Sequence, residues 1–208
     1  MTDTAAHLPG TSVRRVDDDE DDPHGLTVER WHRMASRGAT GSEFGAELLD
    51  GEVIYRLAET DRHAESVRSL SGLLSLSVPS EVVVSVGRPL VLDERSEPRP
   101  DIALLRPGHK SGSEDPTEQP EVLLVVEVAE SSLVFDRGRK AAYYARSGVP
   151  ETWIVDIAGE QVLVMRRPAS GGYRDIRNLR RGSTLEVEAW PSIRCDVAVA
   201  LPHSSEGS

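Results

Sequence analysis

A chain of 208 residues with 38% hydrophobic and 4% aromatic content has enough Val, Leu, Ile and Ala for one globular core. Its single cysteine, Cys195, excludes an internal disulfide and a cysteine metal cluster, which fits a reducing, cytoplasmic setting. The formal net charge of −11 argues against tight nonspecific binding to nucleic acid, which needs many cationic phosphate contacts, but leaves room for a local cationic groove. No apolar run approaches the ~20 residues of a membrane span. The opening MTDTAAHLPG lacks the basic-then-apolar order of a secretory signal.

The acids Asp17, Asp18, Asp19, Glu20, Asp21 and Asp22 repel one another and resist burial, so residues 1–25 are expected as a disordered acidic tail. One folded domain is expected over 26–202, with a loose tail over 203–208. A first helix is predicted over 27–37, with Thr27 as its cap and Gly38 as its stop. Strands over 44–50 and 52–57 flank Asp50-Gly51, a strong two-residue hairpin signal. Asp61 is expected to cap a helix over 62–77, whose apolar face carries Val67, Leu70, Leu73, Leu74 and Leu76. Strands follow over 81–86, 89–92 and 101–105, then a mobile surface loop over 107–120 that lacks periodicity.

The run over 121–128 is continuously apolar apart from its acids, as a central strand covered on both faces requires. Asp136 is expected to cap a helix that Gly148 terminates. A second central strand is predicted over 152–157, followed by a meander over 161–166, 173–176 and 184–187. The order implies a mixed α/β sheet with at least one helical crossover.

Three features carry chemistry. Pro100-Asp101 sets a carboxylate at the head of a strand, although such a pair alone more often marks a turn. Glu127 stands inside the apolar strand LLVVEVA, where a carboxylate is costly unless paired or holding a cation. Lys140 is one of only two lysines, with Lys110, among 24 basic residues. Its ammonium is a compact point charge, which a guanidinium is not. Asp136, Lys140 and Tyr144 recur at four-residue spacing and share a helix face that can look back at Glu127. An aspartate, a glutamate and a lysine at a sheet edge can support metal-assisted hydrolysis, since Mg2+ takes oxygen ligands and keeps several waters.

The segments FGAELLDGEVIY (44–55), PDIALL (100–105), LLVVEVAESS (123–132) and DRGRKAAYYARSGVPETWIVD (136–156), with His63, resemble the Uma-two family of restriction endonucleases within the PD-(D/E)XK nuclease superfamily. The resemblance spans about residues 44–190. It implies a restriction-endonuclease-like mixed central sheet flanked by helices, with an N-terminal hairpin and a C-terminal strand meander. It further implies an endonuclease that hydrolyses DNA phosphodiester bonds with Mg2+ or Mn2+, and a homodimer as the default for symmetric duplex cutting. Asp101 and Glu127 match the metal-holding acids. The superfamily's usual lysine lies two residues after the second acid, where this chain has Ala129; Lys140 on the next helix matches the displaced lysine. Tyr144, Glu47 and His63 match accessory positions. Arg166, Arg167, Arg174, Arg177, Arg180 and Arg181 are candidates for a cationic surface, each alone reading as a solvated arginine on a hairpin edge. Two alternatives stand beside this reading: a noncatalytic binding or assembly module on the same fold, and a phosphodiesterase for RNA or small nucleotides.

Overall fold

The computed structural model describes residues 7–8, 11–14, 25–36, 46–56, 59–107 and 120–203. The acidic run 17–22 and most of the loop expected over 107–120 lie outside them. Two units divide the chain, one of residues 1–58 and 88–99, the other of residues 59–87 and 100–208.

In the first unit, β1 (His7–Leu8), β2 (Thr11–Arg14), β3 (Ala46–Leu49) and β4 (Glu52–Arg56) form an antiparallel sheet in the order β1-β2-β4-β3. The first two strands thus stand within the stretch expected as tail. Asp50 and Gly51 both take positive φ, 53° and 77°, as the tight turn between β3 and β4 requires. Gly25, at φ 85°, lies so close to the Gly51 carbonyl that an added Cβ would fall 2.6 Å from its oxygen. Helix α1 (Val28–Ser36) starts where expected, with Thr27 Oγ1 accepting from the Arg30 N–H. Leu26, Val28, Trp31, Ala46, Leu48 and Val53 form the core of this unit.

No strand forms over 89–92. Pro89 has no N–H to donate, and the chain reverses at Asp93, whose Oδ1 accepts from the Arg95 N–H. The reversal brings the Leu90 N–H to the Pro98 carbonyl.

The second unit contains α2 (Asp61–Ser77), β5 (Val83–Val86), β6 (Ile102–Arg106), β7 (Glu121–Ala129), β8 (Glu151–Asp156), β9 (Gln161–Ala169) and β10 (Gly172–Arg180). These six strands form one sheet in the order β10-β9-β8-β7-β6-β5, in which only β7 and β8 pair in parallel. That pair needs a crossover, supplied by one turn α3 (Leu133–Phe135), a π-helical segment Asp136–Lys140, and α4 (Ala141–Arg146). The architecture is the mixed sheet flanked by helices that the sequence implied.

Alternation along β7 sends side chains to two cores. Leu124, Val126 and Val128 pack with Trp153, Val155, Val162 and Val164 and with Leu70 and Leu74 of α2. Ala129 packs on the opposite face with Ala141, Ile154, Leu163 and Met165. The crossover ends in a glycine cap: Gly148 takes φ 80° and its N–H bonds the Ala145 carbonyl, while the Val149 N–H bonds that of Tyr144. Two helix starts differ from expectation. Thr60, not Asp61, caps α2, because its extended backbone lets Oγ1 accept from the His63 N–H. Asp136 lies inside the crossover helix, accepting from Ser132 Oγ at 2.5 Å. Beyond the predicted meander, β11 (Thr184–Val187) pairs with a further strand, β12 (Trp190–Asp196).

Candidate metal-binding and catalytic site

β6 and β7 pair antiparallel with Ile102 opposite Val126 and Ala103 opposite Val125. Continuing that register by one residue sets Asp101 opposite Glu127, and directly opposed residues point to the same face. Both carboxylates are buried, Glu127 completely. Asp101 Oδ2 accepts from the Val128 N–H at 2.6 Å, which fixes the first acid against the strand that carries the second.

Glu127 Oε1 accepts two hydrogen bonds, from Lys140 Nζ at 2.8 Å and from Tyr144 Oη at 2.6 Å. Lys140 is 1% exposed, so this ammonium is spent inside the protein rather than on its surface. Ala129, two residues after Glu127, packs in one cluster with Ala141, next to Lys140.

His63 approaches Asp101 from α2, with Nε2 3.2 Å from Oδ2. Its Nδ1 lies 3.8 Å from Oε2 of Glu59, which precedes the Thr60 cap. Thr60 Oγ1 donates to Glu130 Oε2 at 2.5 Å, and Arg62 Nη1 donates to Glu130 Oε1 at 3.3 Å. Glu130 directly follows β7, so the start of α2 is anchored to the end of the strand that bears Glu127. Glu59, Thr60 and Glu130 were not singled out in the sequence. The four-residue spacing of Glu59 and His63 was the available signal, but it carries little weight without the strand ends beside it.

The structure thus brings together Asp101 with His63, and Glu127 with Lys140 and Tyr144. Glu47 belongs to the first unit, buried on β3, with Oε2 accepting from the Arg99 N–H at 2.9 Å. Among the arginines, Arg166 turns inward: its Nε and Nη2 reach buried Glu151 at 2.9 and 2.8 Å. Arg177 pairs with Asp175 on the same strand at 3.0 Å, and Arg174 and Arg180 are exposed along β10. Trp153 is core, its Nε1 donating to Glu151.

The donors suit a divalent cation. Hard carboxylate oxygens from adjacent strands are the ligands Mg2+ and Mn2+ accept, and one or two suffice when water fills the remaining positions. Donor atoms of Glu59, His63 and Asp101 also lie within 4.8 Å of one another.

A family model described as "Putative restriction endonuclease" matches residues 28–198. The chain belongs to the Uma2 family. That match spans α1 through β12 and so takes in every residue of the site. A crystal structure described as a "putative nuclease belonging to DUF820", from Anabaena variabilis ATCC 29413, is similar with a TM-score of 0.65. Its 13% sequence identity extends over 84% of this chain and 97% of that one, and the likeness is one of fold. No curated protein matches this chain. Among the described residues, no helix of this Uma2 member is long and apolar enough to cross a membrane.

Proposed function

We propose that the protein is a divalent-metal-dependent endonuclease that hydrolyses phosphodiester bonds of DNA. The observation that carries this reading is the buried Lys140 ammonium on Glu127, one strand from Asp101. Lysine is almost never fully buried unless paired, the chain's other cations are nearly all arginine, and the nuclease family gives the arrangement a chemistry.

Asp101 and Glu127 would hold Mg2+ or Mn2+. When bound, such an ion polarises a phosphoryl oxygen and lowers the pKa of a coordinated water. Lys140 Nζ and Tyr144 Oη both donate to Glu127 Oε1 and fix that oxygen in place. The Lys140 ammonium would orient an attacking water and stabilise negative charge developing on the phosphoryl group. The Val128 N–H fixes the Asp101 carboxylate by hydrogen bonding to Oδ2. Cutting both strands of a duplex needs two such sites, and a homodimer is the working unit we infer.

The test is plasmid nicking by purified protein with Mg2+ or Mn2+. Asp101→Ala and Lys140→Ala are expected to lower the rate by at least about 100-fold, the loss typical when a group serving developing charge is removed. A wild-type protein inert over a range of divalent ions and DNA forms would overturn the reading. Cleavage confined to single-stranded RNA or cyclic nucleotides would move the substrate and keep the site.

A further inference from the structure

The sheet of the second unit ends in two edges of opposite character. β10 carries Arg174, Asp175, Arg177 and Arg180, and charges of this kind block pairing with another chain. β5, at the other end, reads VVSV and carries no charge. Among the described residues it pairs only with β6. Val83 and Val86 are 49% and 44% exposed, whereas Val82 and Val84 pack against the core that holds Leu70 and Leu74 of α2. The Gly87 N–H bonds the Asp101 carbonyl just before β6. By the alternation of an antiparallel ladder, Val83 and Ser85 then turn their backbone groups toward β6, and Val84 and Val86 turn theirs outward.

We propose that β5 is the surface on which a second copy of this chain docks, by antiparallel pairing about a two-fold axis at Ser85. Val84 of each copy then lies opposite Val86 of the other, and each such pair exchanges both of its N–H···O bonds. Val86 loses its exposure against Val84 of the other copy. Centring the axis on Val84 instead would call on Val82, whose N–H is already bonded to the Pro79 carbonyl. The antiparallel order also brings the end of β5 near exposed Glu81 in each copy to the end near exposed Arg88 in the other, so opposite charges meet. With β10 blocked, only β5 can pair, and the contact closes as a dimer instead of growing into a filament. The proposal rests on the homodimer inferred above and names its surface.

Sedimentation equilibrium of the full chain, without DNA or added metal, tests it. The wild type is expected to be a dimer. Val86→Lys sets an ammonium against an apolar neighbour in the other copy and is expected to raise the dimer Kd about 100-fold or more. Ile176→Lys, at a 51% exposed position on β10, should leave Kd unchanged. Both variants alter exposed side chains, and circular dichroism should show each folded. Ser85→Cys in a Cys195→Ser background should cross-link the copies on mild oxidation, because a residue on the axis faces itself at about 4.5 Å between Cα atoms. A monomeric wild type, a Val86→Lys protein as dimeric as the wild type, or a Ser85→Cys dimer that does not cross-link overturns the pairing. A dimer that survives Val86→Lys keeps the homodimer and loses this surface, whereas a monomeric wild type loses both. Nicking is read separately, so an inert protein that dimerises through β5 loses only the nuclease reading.

Discussion

Burying an ammonium beside a carboxylate takes both from water, and their attraction offsets that penalty only when the remaining hydrogen bonds are good. Lys140 and Glu127 are each at most 1% exposed, and Tyr144 supplies the added bond. Lys140→Met should therefore destabilise the protein by about 3–5 kcal/mol, read by urea denaturation, because it leaves a buried charge behind. Adding Glu127→Leu should recover most of that loss, since a buried pair can be replaced by apolar groups at little net cost. Plasmid nicking should stay absent in the double variant, which separates stability from chemistry. A second residue-scale outcome concerns Cys195. Burial, reinforced by Asp196, pushes its thiol up to about 11. The thiolate is the reactive form, so iodoacetamide should modify the native protein slowly at neutral pH and the urea-unfolded chain much faster, measured by mass spectrometry.

Among the elements, the cap of α2 matters beyond the helix. Thr60→Ala removes the hydroxyl that holds the His63 N–H and reaches Glu130. A cost of about 1 kcal/mol is expected from the lost cap, seen in thermal melts. A second element-scale device is Glu151, which gathers Trp153 Nε1, Arg166 and the Glu188 N–H, and so ties β8 and β9 to the β11–β12 hairpin. Burial raises its pKa against the lowering effect of these partners. The folded state then holds this proton at higher pH than the unfolded chain does. Its contribution to stability is full below the ordinary glutamate range and is lost as pH rises through the raised value. Glu151→Gln should flatten that part of a stability–pH profile measured by denaturant titration. Elements with strong local signals were legible before the fold was: the Asp50-Gly51 turn, the apolar run of β7 and the Gly148 stop each state their structure in a few residues. What escaped depends on partners far away in sequence. Asp61 and Asp136 look like caps, but the bond went to Thr60 in one case and came from Ser132 in the other. The π-helical segment leaves no trace in composition, and the pairing of β12 depends on β11 across a turn. Asp101, Glu127, Lys140 and Tyr144 stand out in the sequence by local pattern: an acid at a strand head, an acid in an apolar strand, a scarce lysine and a four-residue helix spacing. Glu59 does not, since its neighbours Asp101 and Glu130 come from other strands.

For the whole molecule, charge sets the terms on which DNA can be met. A formal net charge of −11 opposes a polyanion at long range, so the proposed DNA substrate would have to be met by local cations such as the exposed Arg174 and Arg180. Nicking should fall as salt is raised if those contacts are made to phosphates, and Arg174→Ala with Arg180→Ala should lessen the dependence, measured as the slope of log rate against log salt. Sedimentation equilibrium tests the inferred homodimer directly. The order of strands has a practical result of its own. Glu127 and Lys140 ride on the parallel β7–β8 crossover, residues 121–156, whereas His63 and Asp101 precede residue 107. Separating the chain into two polypeptides between residues 107 and 120 would leave each half with one acid and one nitrogen base. Neither fragment alone could then cut, and recovered cleavage on mixing would report reassembly of the sheet itself.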